Sequence, residues 1–336
     1  MANIYDVAKA AGVSKTLVSR VINQQVGVSE ASYQKIMKAM KELNYTPSAI
    51  ARSLVLQKTR VIGVILDNLC EPYFFNLIKG IEEETAATDY EVMFCSARNN
   101  IDVKNRYINF FSQGRADGFV LYGSNLSDDT VLERLTQLNF PCVIVENDVD
   151  GRNICNVSVD NQYGSKIAVN YLMEKGCRNI FHVTGDEKVK AAIHRKEGFI
   201  TAMKEHGVMN ASDCILKADF TIKSGYQAMA AFLNSYGKEK LPQALYFGAD
   251  TTAIGGIMAL EDAGIRIPED IQIIGFDNDN ILIPDRRIKK LTTVAQPLYD
   301  MGTSAVKLLL DDIENRHEIK KKMVYYPELI LRETTK

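Results

Sequence analysis

IYDVAKAAGVSKTLVSRVIN, residues 4–23, predicts two short helices joined by a tight turn. Gly12 interrupts the helical spacing of the apolar residues before it, and Ser14 supplies a side-chain oxygen that can cap a second helix. The second helix has an apolar face made of Val18, Val21 and Ile22. Its opposite face carries only polar or cationic side chains, at Lys15, Thr16, Ser19, Arg20 and Asn23. This pattern is typical of a helix-turn-helix, whose second helix enters the major groove of DNA, and an ordinary helical hairpin with a solvated face is the alternative.

Residues 29–60 predict a third helix followed by a linker. Ser29 can cap that helix, whose apolar stripe consists of Ile36, Met40 and Leu43. The next run, SAIARSLV at 48–55, is about two turns long, which is too short for a stable isolated helix in water. It nevertheless holds apolar side chains where a tether would carry solvated ones. We therefore expect a short helix that forms only when something buries it, and a plain tether is the alternative.

The charge of the chain is unevenly distributed. The 336 residues carry a net charge of −2, with 46% hydrophobic and 24% charged residues, which is ordinary for a globular protein. Residues 1–60 hold nine Lys or Arg against three Asp or Glu, a net charge of +6, so the remainder carries −8. A basic segment on an acidic body suits a protein that contacts a polyanion with one end only.

The cysteine pattern and the N-terminus favour the cytoplasm. Six cysteines show no CxxC spacing and no metal-ligand spacing with histidine, and they stand at Cys70, Cys95, Cys142, Cys155, Cys177 and Cys214. Buried free thiols in a reducing compartment are the interpretation that we adopt. Asp6 and Lys9 interrupt any signal-peptide hydrophobic region, and no run of 18 apolar residues occurs. We expect no cofactor, no metal site and no membrane segment.

Beyond Arg60, apolar strand-like runs alternate with amphipathic helical runs. The predicted strands are VIGVIL (61–66), YEVMFC (90–95), DGFVLY (117–122), PCVIVE (141–146), NIFHVTG (179–185), CILKADF (214–220), ALYFGAD (244–250) and IQIIGFD (271–277). Such alternation indicates parallel sheets covered by helices on both faces. The number of units exceeds one open sheet, so we predict an α/β fold with two doubly wound parallel-sheet lobes. Two late runs, at 291–297 and 323–331, flank one more helix and are expected to cross back to finish each lobe.

Carboxylates, amides and aromatic residues follow the predicted strands. Examples are Asp67-Asn68, Tyr122-Gly123-Ser124, Glu146-Asn147, Asp219-Phe220 and Asp277-Asn278. Parallel α/β sheets bind ligands beyond the carboxyl ends of their strands. Carboxylates accept hydrogen bonds from hydroxyl groups and aromatic rings stack on apolar faces, so these residues predict a hydroxyl-rich ligand. Asp and Asn are also common in loops, so each single position has that second explanation.

Taken together, these segments resemble the LacI/GalR family of bacterial transcription repressors over essentially the whole chain. The resemblance rests on the motifs IYDVAKAAGVSKTLVSRVIN, VSEASYQKIMKAMKELNYTPSAIARSL, EPYF, RKEGF, IGFDN and LTTVAQP. It implies an N-terminal three-helix head, a core of the type I periplasmic-binding-protein fold, and a dimer on a pseudo-palindromic operator. No leucine-heptad tail follows, so we expect a dimer rather than a tetramer. The expected divisions are a head at 1–46, a hinge linker at 47–60, a first lobe at 61–160 plus 293–321, and a second lobe at 161–292 plus 322–336.

The resemblance also implies roles for individual residues. Positions matching the DNA-contacting residues of the family are Ser14, Lys15, Thr16, Ser19, Arg20, Asn23, Ser29, Ala51 and Leu54, the last where the family inserts a leucine into the minor groove. Positions matching its effector pocket are Tyr73, Phe74, Glu146, Asp160, Arg195, Phe220, Asp250 and Asp277. Arg195 of RKEGF and Asp277 of GFDN are the strongest matches.

The chain departs from the family pattern at several positions. Val55 is apolar where some relatives carry a basic residue. Glu146 and Ala249 replace the Asp and Asn that are usual in sugar-responsive relatives, which leaves the identity of the effector open. The stretch 278–290 is longer than in relatives, and Lys290 stands where proline often precedes LTT. These last changes adjoin Asp277 and would reshape the rim of the pocket.

An enzyme and a solute-binding transport protein are the alternatives to a regulator. No GxSxG, GxGxxG, P-loop or HExxH motif occurs, and the four histidines are scattered, so we expect no enzyme. A solute-binding transport protein would explain the core, but the absence of a signal peptide and the basic head argue against it. The sequence therefore predicts a ligand-responsive transcription repressor, with double-stranded operator DNA and a small, sugar-like effector as partners.

Overall fold

The fold is taken from a computed structural model, which describes residues 2–23, 27–46, 58–123, 125–147, 149, 151–279, 289–316 and 318–336. Ala51, Leu54 and Val55 lie outside the described residues, together with most of the predicted hinge linker. Residues 280–288, inside the stretch predicted to be longer than in relatives, also lie outside them.

The N-terminal head consists of three helices: α1 (Ile4–Ala11), α2 (Lys15–Ile22) and α3 (Glu30–Glu42). Ser14 caps α2 by accepting a hydrogen bond from the backbone N–H of Leu17 at 3.2 Å, as predicted. Gly12 ends α1 at a φ of 66°, a left-handed conformation that favours glycine. The apolar sides of the three helices meet in a small core around the fully buried side chains of Val7, Val18 and Ile36.

The rest of the chain builds two six-stranded sheets. The strands are β1 (Val61–Leu66), β2 (Glu91–Ser96), β3 (Gly118–Tyr122), β4 (Cys142–Val145), β5 (Cys155–Val159), β6 (Ile180–Val183), β7 (Ile215–Leu216), β8 (Ala244–Phe247), β9 (Gln272–Asp277), β10 (Thr292–Ala295), β11 (Lys322–Tyr325) and β12 (Glu328–Ile330). The first sheet has the order β11-β5-β4-β3-β1-β2 and the second the order β12-β10-β9-β8-β6-β7. All pairings are parallel except that of β10 with β12. The α/β fold with two parallel-sheet lobes is thereby confirmed.

Helices cover both faces of each sheet. They are α4 (Phe75–Ala86), α5 (Ile101–Ser112), α6 (Asp129–Leu138), α7 (Asn161–Glu174), α8 (Lys190–Glu205), α9 (Ile222–Tyr236), α10 (Asp250–Asp262) and α11 (Leu298–Asn315). On the first lobe α4 and α11 approach so closely that a Cβ built on Gly80 would lie 2.1 Å from the carbonyl oxygen of Tyr299. Glycine is therefore required at that crossing. Among the described residues, no helix is long and apolar enough to cross a lipid bilayer.

The late strands correct the predicted division between the lobes. The range 293–321 was expected in the first lobe, but β10 pairs with β9 in the second sheet. The range 322–336 was expected in the second lobe, but β11 pairs with β5 in the first sheet. The run at 323–331 is two strands instead of one because Pro327, which has no N–H to donate to a ladder, separates β11 from β12. The chain thus crosses between the lobes at each of these short segments.

Candidate functional site

A cleft of about 740 Å³ lies between the two lobes. Its first-lobe wall includes Tyr73, Phe74 and Tyr122, and its second-lobe wall includes Arg195, Phe220 and Asp277. Each of these side chains stands at the carboxyl end of a strand or on the helix or loop that follows it. The cleft therefore occupies the position at which parallel α/β sheets bind ligands, and its volume suits a small molecule.

Arg195 and Asp277 form a buried ion pair on the second-lobe wall. Arg195 is only 3% exposed, and its guanidinium lies 3.0 Å from a carboxylate oxygen of Asp277. The Arg195 Nε–H donates to the side-chain oxygen of Asn161 at 2.8 Å, and another N–H donates to the Gly248 carbonyl. The same guanidinium stacks 3.7 Å from the ring centre of Phe276. These contacts hold one cation and one hydrogen-bond acceptor in fixed positions at the cleft.

Further carboxyl groups surround this pair. Burial, followed by the charge of Asp277, raises the pKa of Asp279 to about 7. Burial likewise raises the pKa of Asp277, and the Arg195 guanidinium offsets part of that effect. Asp279 lines the cleft two residues beyond Asp277. The site therefore offers several hydrogen-bond acceptors. The Asp279 carboxyl group gains or loses its proton near neutral pH.

Three aromatic side chains give the cleft its apolar surface on the first lobe. The ring of Tyr122 lies edge-on to both Phe74, at 4.9 Å between ring centres, and Tyr73, at 6.1 Å. The Tyr122 hydroxyl also donates to the Tyr73 hydroxyl at 3.4 Å. A flat or ring-shaped ligand with one apolar face would pack against this wall.

Several residues around the cleft hold left-handed backbone conformations that are rare for side chains other than glycine. Phe220 has a φ of 68°, Asp277 of 104° and Asn278 of 59°. Such conformations cost free energy and cluster at binding sites, where they place a side chain that regular structure would point elsewhere. For Asp277 the conformation ends β9 and turns the carboxylate toward Arg195.

A buried cluster of one cation and two carboxylates lies on the first-lobe side of the cleft. Lys104 is 1% exposed, and its Nζ lies 2.8 Å from carboxylate oxygens of both Asp67 and Asp128. Asn125 donates from its backbone N–H to Asp128 at 3.1 Å and from its side chain to Asp67 at 3.4 Å. Lys104 therefore fixes the segment that begins at Asn125.

That segment contacts the second lobe directly. Asn125 and Val189 form an isolated antiparallel bridge, and the backbone N–H of Leu126 donates to the Lys188 carbonyl at 2.8 Å. The Lys190 Nζ forms an ion pair with Asp129 at 2.8 Å. Because these contacts join the two lobes beside the cleft, they hold the lobes in one relative arrangement.

The structure brings five of the eight predicted effector residues to the cleft. These are Tyr73, Phe74, Arg195, Phe220 and Asp277. Asp250 lies beneath it, 2% exposed, and accepts from the Thr293 hydroxyl at 2.7 Å and the Asp279 backbone at 2.9 Å. Asp160 instead caps α7 by accepting from the backbone N–H of Tyr163 at 2.8 Å.

Glu146 lines a second, smaller cavity that adjoins the cleft at Ala191. Sequence reasoning did not single out Asn125, Lys188 or Asp279, which also line the cleft. No sequence motif marks Asn125 or Lys188 as a residue of the cleft. They lie in loops of different lobes, and these loops meet only because of how the two lobes are arranged. Asp279 stands two residues beyond the last residue of the GFD motif. This closeness to Asp277 in the sequence is a signal that could have identified Asp279 as a residue of the cleft.

Glu146 provides a pH test of this region. Burial raises the pKa of Glu146 from 4.5 to about 7, although Arg195 and hydrogen bonds from Val159 and Asn161 act in the opposite direction. A carboxyl group whose pKa is higher in the folded chain stabilises the fold below its unfolded pKa, and this contribution is lost as pH rises through about 7. Glu146→Gln should therefore lose less stability between pH 5 and pH 8 than the wild type, by on the order of 3 kcal/mol. Thermal unfolding at both pH values measures the difference, and parallel pH profiles would contradict it.

The predicted DNA-contacting residues lie on the head. Ser14, Lys15, Thr16, Arg20 and Ser29 are exposed, whereas Ser19 and Asn23 are half-buried. The Lys15 Nζ donates to the hydroxyl of Tyr5 at 3.0 Å and lies 4.6 Å from the centre of its ring. Tyr5, itself 63% exposed, extends this polar surface beyond the predicted residues. The outward face of α2 thus presents hydrogen-bond donors close to the capped N-terminus of the same helix. Recognition helices that enter the major groove of DNA have this arrangement.

A helix-turn-helix head attached to two parallel-sheet lobes with a ligand-sized cleft defines a DNA-binding regulator with an effector domain. Residues 3–48 match the family model of bacterial regulatory proteins, lacI family, and residues 169–335 match the periplasmic binding protein-like domain. The HTH-type transcriptional repressor PurR of Proteus mirabilis is 36% identical over 335 residues, which cover 99% of this chain and 96% of the relative. The chain therefore belongs to the LacI family and is a DNA-binding transcriptional repressor with an effector-binding domain.

Solved structures agree with this architecture. The lac repressor dimer bound to operator and the anti-inducer ONPF is 24% identical, with a TM-score of 0.84 and 99% of each chain covered. A LacI family transcriptional regulator from Enterococcus faecium with bound ribose is 27% identical, with a TM-score of 0.69, and covers 82% of this chain and 98% of its own. The first likeness covers nearly the whole of both chains, and it bears on the fold alone.

Proposed function

We propose that this repressor binds a pseudo-palindromic operator as a homodimer, and that a small hydroxylated molecule, a sugar or sugar derivative, sets its operator affinity from the cleft between the lobes. The observation that carries the proposal is the buried Arg195–Asp277 pair at the cleft. It presents a donor and an acceptor side by side, opposite an aromatic wall. This combination suits a ring with hydroxyl groups on its edge and an apolar face. The ribose bound to the Enterococcus faecium relative supports the same class of ligand.

In the proposed mechanism, the two lobes change between two relative arrangements, and this change links ligand binding in the cleft to DNA binding by the head. A ligand that contacts both walls binds one lobe arrangement better, and it shifts the equilibrium only by that difference in affinity. The contacts of Asn125 and Leu126 with Val189 and Lys188 are made in one arrangement of the lobes. In a dimer, the spacing of the two first lobes would then set the positions of the two hinge segments and heads on the operator.

The proposal describes a cytoplasmic binding protein and not an enzyme. The carboxyl groups of the cleft act as hydrogen-bond acceptors, and the Asp277 carboxylate is held in an ion pair with Arg195. The DNA contacts are assigned to the exposed face of α2 and to Ser29, with Ala51 and Leu54 in the hinge. The effector contacts are assigned to Tyr73, Phe74, Arg195, Phe220 and Asp277.

Two experiments test the proposal. Gel retardation compares the full chain with a chain lacking residues 1–60, and only the full chain should bind operator specifically. A thermal-shift screen of sugars, sugar phosphates and nucleosides then identifies the effector class, because a ligand at about 100 times its dissociation constant stabilises by about 2.7 kcal/mol. Stabilisation by nucleosides but by no sugar or sugar phosphate would overturn the proposed ligand class.

Base reading by the head gives a separate prediction. Arg20 is exposed on α2, and if it reaches a guanine edge, Arg20→Ala should cost about 1–3 kcal/mol of operator binding and relax the preference at one base pair in each half-site. Lys35→Ala removes an exposed cation from α3 and is the matched control, with a much smaller effect on specific binding. Operator and random DNA titrations provide the comparison. Equal losses on both DNAs for Arg20→Ala would show that Arg20 contacts phosphate only.

A further inference from the structure

The charged residues that line the cleft between the lobes are mostly acidic. Among the described residues, six acidic and two basic side chains line it, namely Asp67, Glu71, Asp186, Asp219, Asp277 and Asp279 against Lys188 and Arg195. Two of the acids have a cation of the chain beside them, since Lys104 pairs with Asp67 and Arg195 pairs with Asp277. The other four share one further lining cation, Lys188, so this part of the cleft carries an excess of negative charge.

Asp279 has the least compensated carboxylate of this group. It is half-buried on the second-lobe wall, and no described residue donates a hydrogen bond to its carboxylate oxygens or forms an ion pair with them. Burial and the charges of Asp277 and, from the first lobe, Glu71 raise its pKa, whereas Arg195 lowers it. Charged groups that are withdrawn from water normally have a partner of opposite charge. The Asp279 carboxylate therefore indicates a partner that brings a positive charge.

Three backbone N–H groups of the cleft lining already have carboxylate partners. They donate to aspartates of the chain at distances of 2.9 to 3.1 Å: Lys188 to Asp186, Thr221 to Asp219, and Asp279 to Asp250. Phosphate groups bind where backbone N–H groups and basic side chains present unsatisfied donors. Here carboxylates of the chain occupy those donors, and the Arg195 guanidinium is paired with Asp277. A phosphorylated ligand would thus meet negative charge without the donors that it needs.

We propose that the effector is a hydroxylated ring with a protonated amino group, such as an amino sugar, and that the cleft discriminates against phosphorylated sugars. This inference rests on the proposed function, which places a hydroxylated ligand in the cleft, and it adds the charge of that ligand. The ring hydroxyl groups donate to Asp277, and the ammonium group pairs with Asp279, with Glu71 contributing from the opposite wall. Because Glu71 and Asp279 belong to different lobes, such a cation binds better when the lobes approach each other.

The test is calorimetric titration of the full-length protein at pH 7 with sugars that share one ring and differ in charge. One series is D-glucosamine, D-glucose and D-glucose 6-phosphate, and the other is D-galactosamine, D-galactose and D-galactose 6-phosphate. In at least one series the amino sugar should bind about tenfold or more tightly than the neutral sugar, and the phosphate should bind most weakly. Added salt should weaken binding of the amino sugar more than that of the neutral sugar.

Two variants assign the effect to the cleft. Asp279→Asn removes one charge at nearly constant volume, so it should weaken binding of the amino sugar by about tenfold and leave binding of the neutral sugar nearly unchanged. Asp213→Asn makes the same change at an exposed aspartate of the second lobe that does not line the cleft, and it is the matched control. Its preference for the amino sugar should equal that of the wild type.

The contrary outcomes separate this inference from the proposed function. Equal or tighter binding of the neutral sugar or of the sugar phosphate would overturn the charge assignment and leave the proposed function intact. A preference for the amino sugar that is the same in Asp279→Asn as in the wild type would also overturn it. Binding of no probe in either series overturns the inference, and stabilisation of the protein by nucleosides alone would contradict the proposed class of ligand as well.

Discussion

Asp277→Ala is expected to abolish the response of operator binding to effector, while the affinity for operator without effector stays within a few-fold of the wild type. Asp277 contributes a carboxylate that faces the cleft and that is held by Arg195 at 3.0 Å and by the Gln296 side chain at 2.7 Å. Its loss removes an acceptor for ligand hydroxyls and leaves the guanidinium of Arg195 without its counter-charge. The head, which contacts the DNA, is distant in sequence and folds around its own core.

The size of this effect follows from the coupling between the sites. Allosteric coupling in proteins is typically worth 5–150-fold in affinity, and a variant that no longer binds effector loses all of it. Operator titrations with and without effector measure the response. Asp213→Ala, an exposed aspartate of the second lobe, is the control and should respond as the wild type does.

In this experiment, a loss of protein stability must be distinguished from a loss of effector binding. Removing one partner of a buried ion pair commonly costs about 3–5 kcal/mol of stability, because the other charge is left uncompensated. Asp277→Asn keeps the side-chain volume and a hydrogen-bond acceptor, so it should fold more stably than Asp277→Ala and still respond weakly. An unchanged response and unchanged effector affinity in the folded Asp277→Ala protein would remove Asp277 from the pocket.

Lys104→Ala is expected to destabilise the protein by about 3–5 kcal/mol. Lys104 is 1% exposed and lies within 2.8 Å of carboxylate oxygens of Asp67 and Asp128, so its removal leaves two buried carboxylates without a cation. Burial already raises the pKa of Asp67, and Lys104 is the largest influence that lowers it. Without Lys104 the pKa of the buried Asp67 carboxyl group loses the influence that lowers it, so the loss of stability should grow as the pH rises from 5 to 8.

The matched control is an ion pair on the surface of the same lobe. Lys79 and Glu83 lie 3.8 Å apart on α4, with side chains 62% and 53% exposed. Lys79→Ala should therefore change stability by less than about 1 kcal/mol. Denaturant unfolding of both variants provides the comparison. A loss for Lys104→Ala as small as that for Lys79→Ala would mean that water reaches the cluster.

The Lys104 cluster also supports the contacts between the lobes. It holds Asn125, whose neighbour Leu126 donates to the second lobe at Lys188. Lys104→Met, which keeps the apolar part of the side chain, should therefore weaken the effector response as well as stability. Operator titrations of Lys104→Met with and without effector measure this change in response.

The head and most of the strands were predictable because their signals are local. Caps such as Ser14 and Ser29, the break at Gly12 and the continuous apolar runs of buried parallel strands depend on neighbours in the sequence. The same holds for Arg195 and Asp277, which stand in short motifs. β5 was missed because its residues, CNVSV, mix polar and apolar side chains and do not form an apolar run.

The remaining differences have a common physical origin in long-range contacts. Strands of three or four residues such as β10, β11 and β12 carry no signal for the sheet that they join, since this depends on the return path of the chain. Asp160 matched an effector position but caps a helix, because an aspartate before a helix has a local partner available.

In the proposed function, one ligand between the lobes and one operator at the head are coupled through a single equilibrium. Coupling of this kind is reciprocal, so operator must change the affinity for ligand by the same factor by which ligand changes the affinity for operator. The direct test is the dissociation constant of the effector measured with and without saturating operator. We predict a change of between about 5- and 150-fold, equal to the factor found in the operator titration. An effector affinity that is the same in the presence and absence of operator would show that the cleft and the head are not coupled.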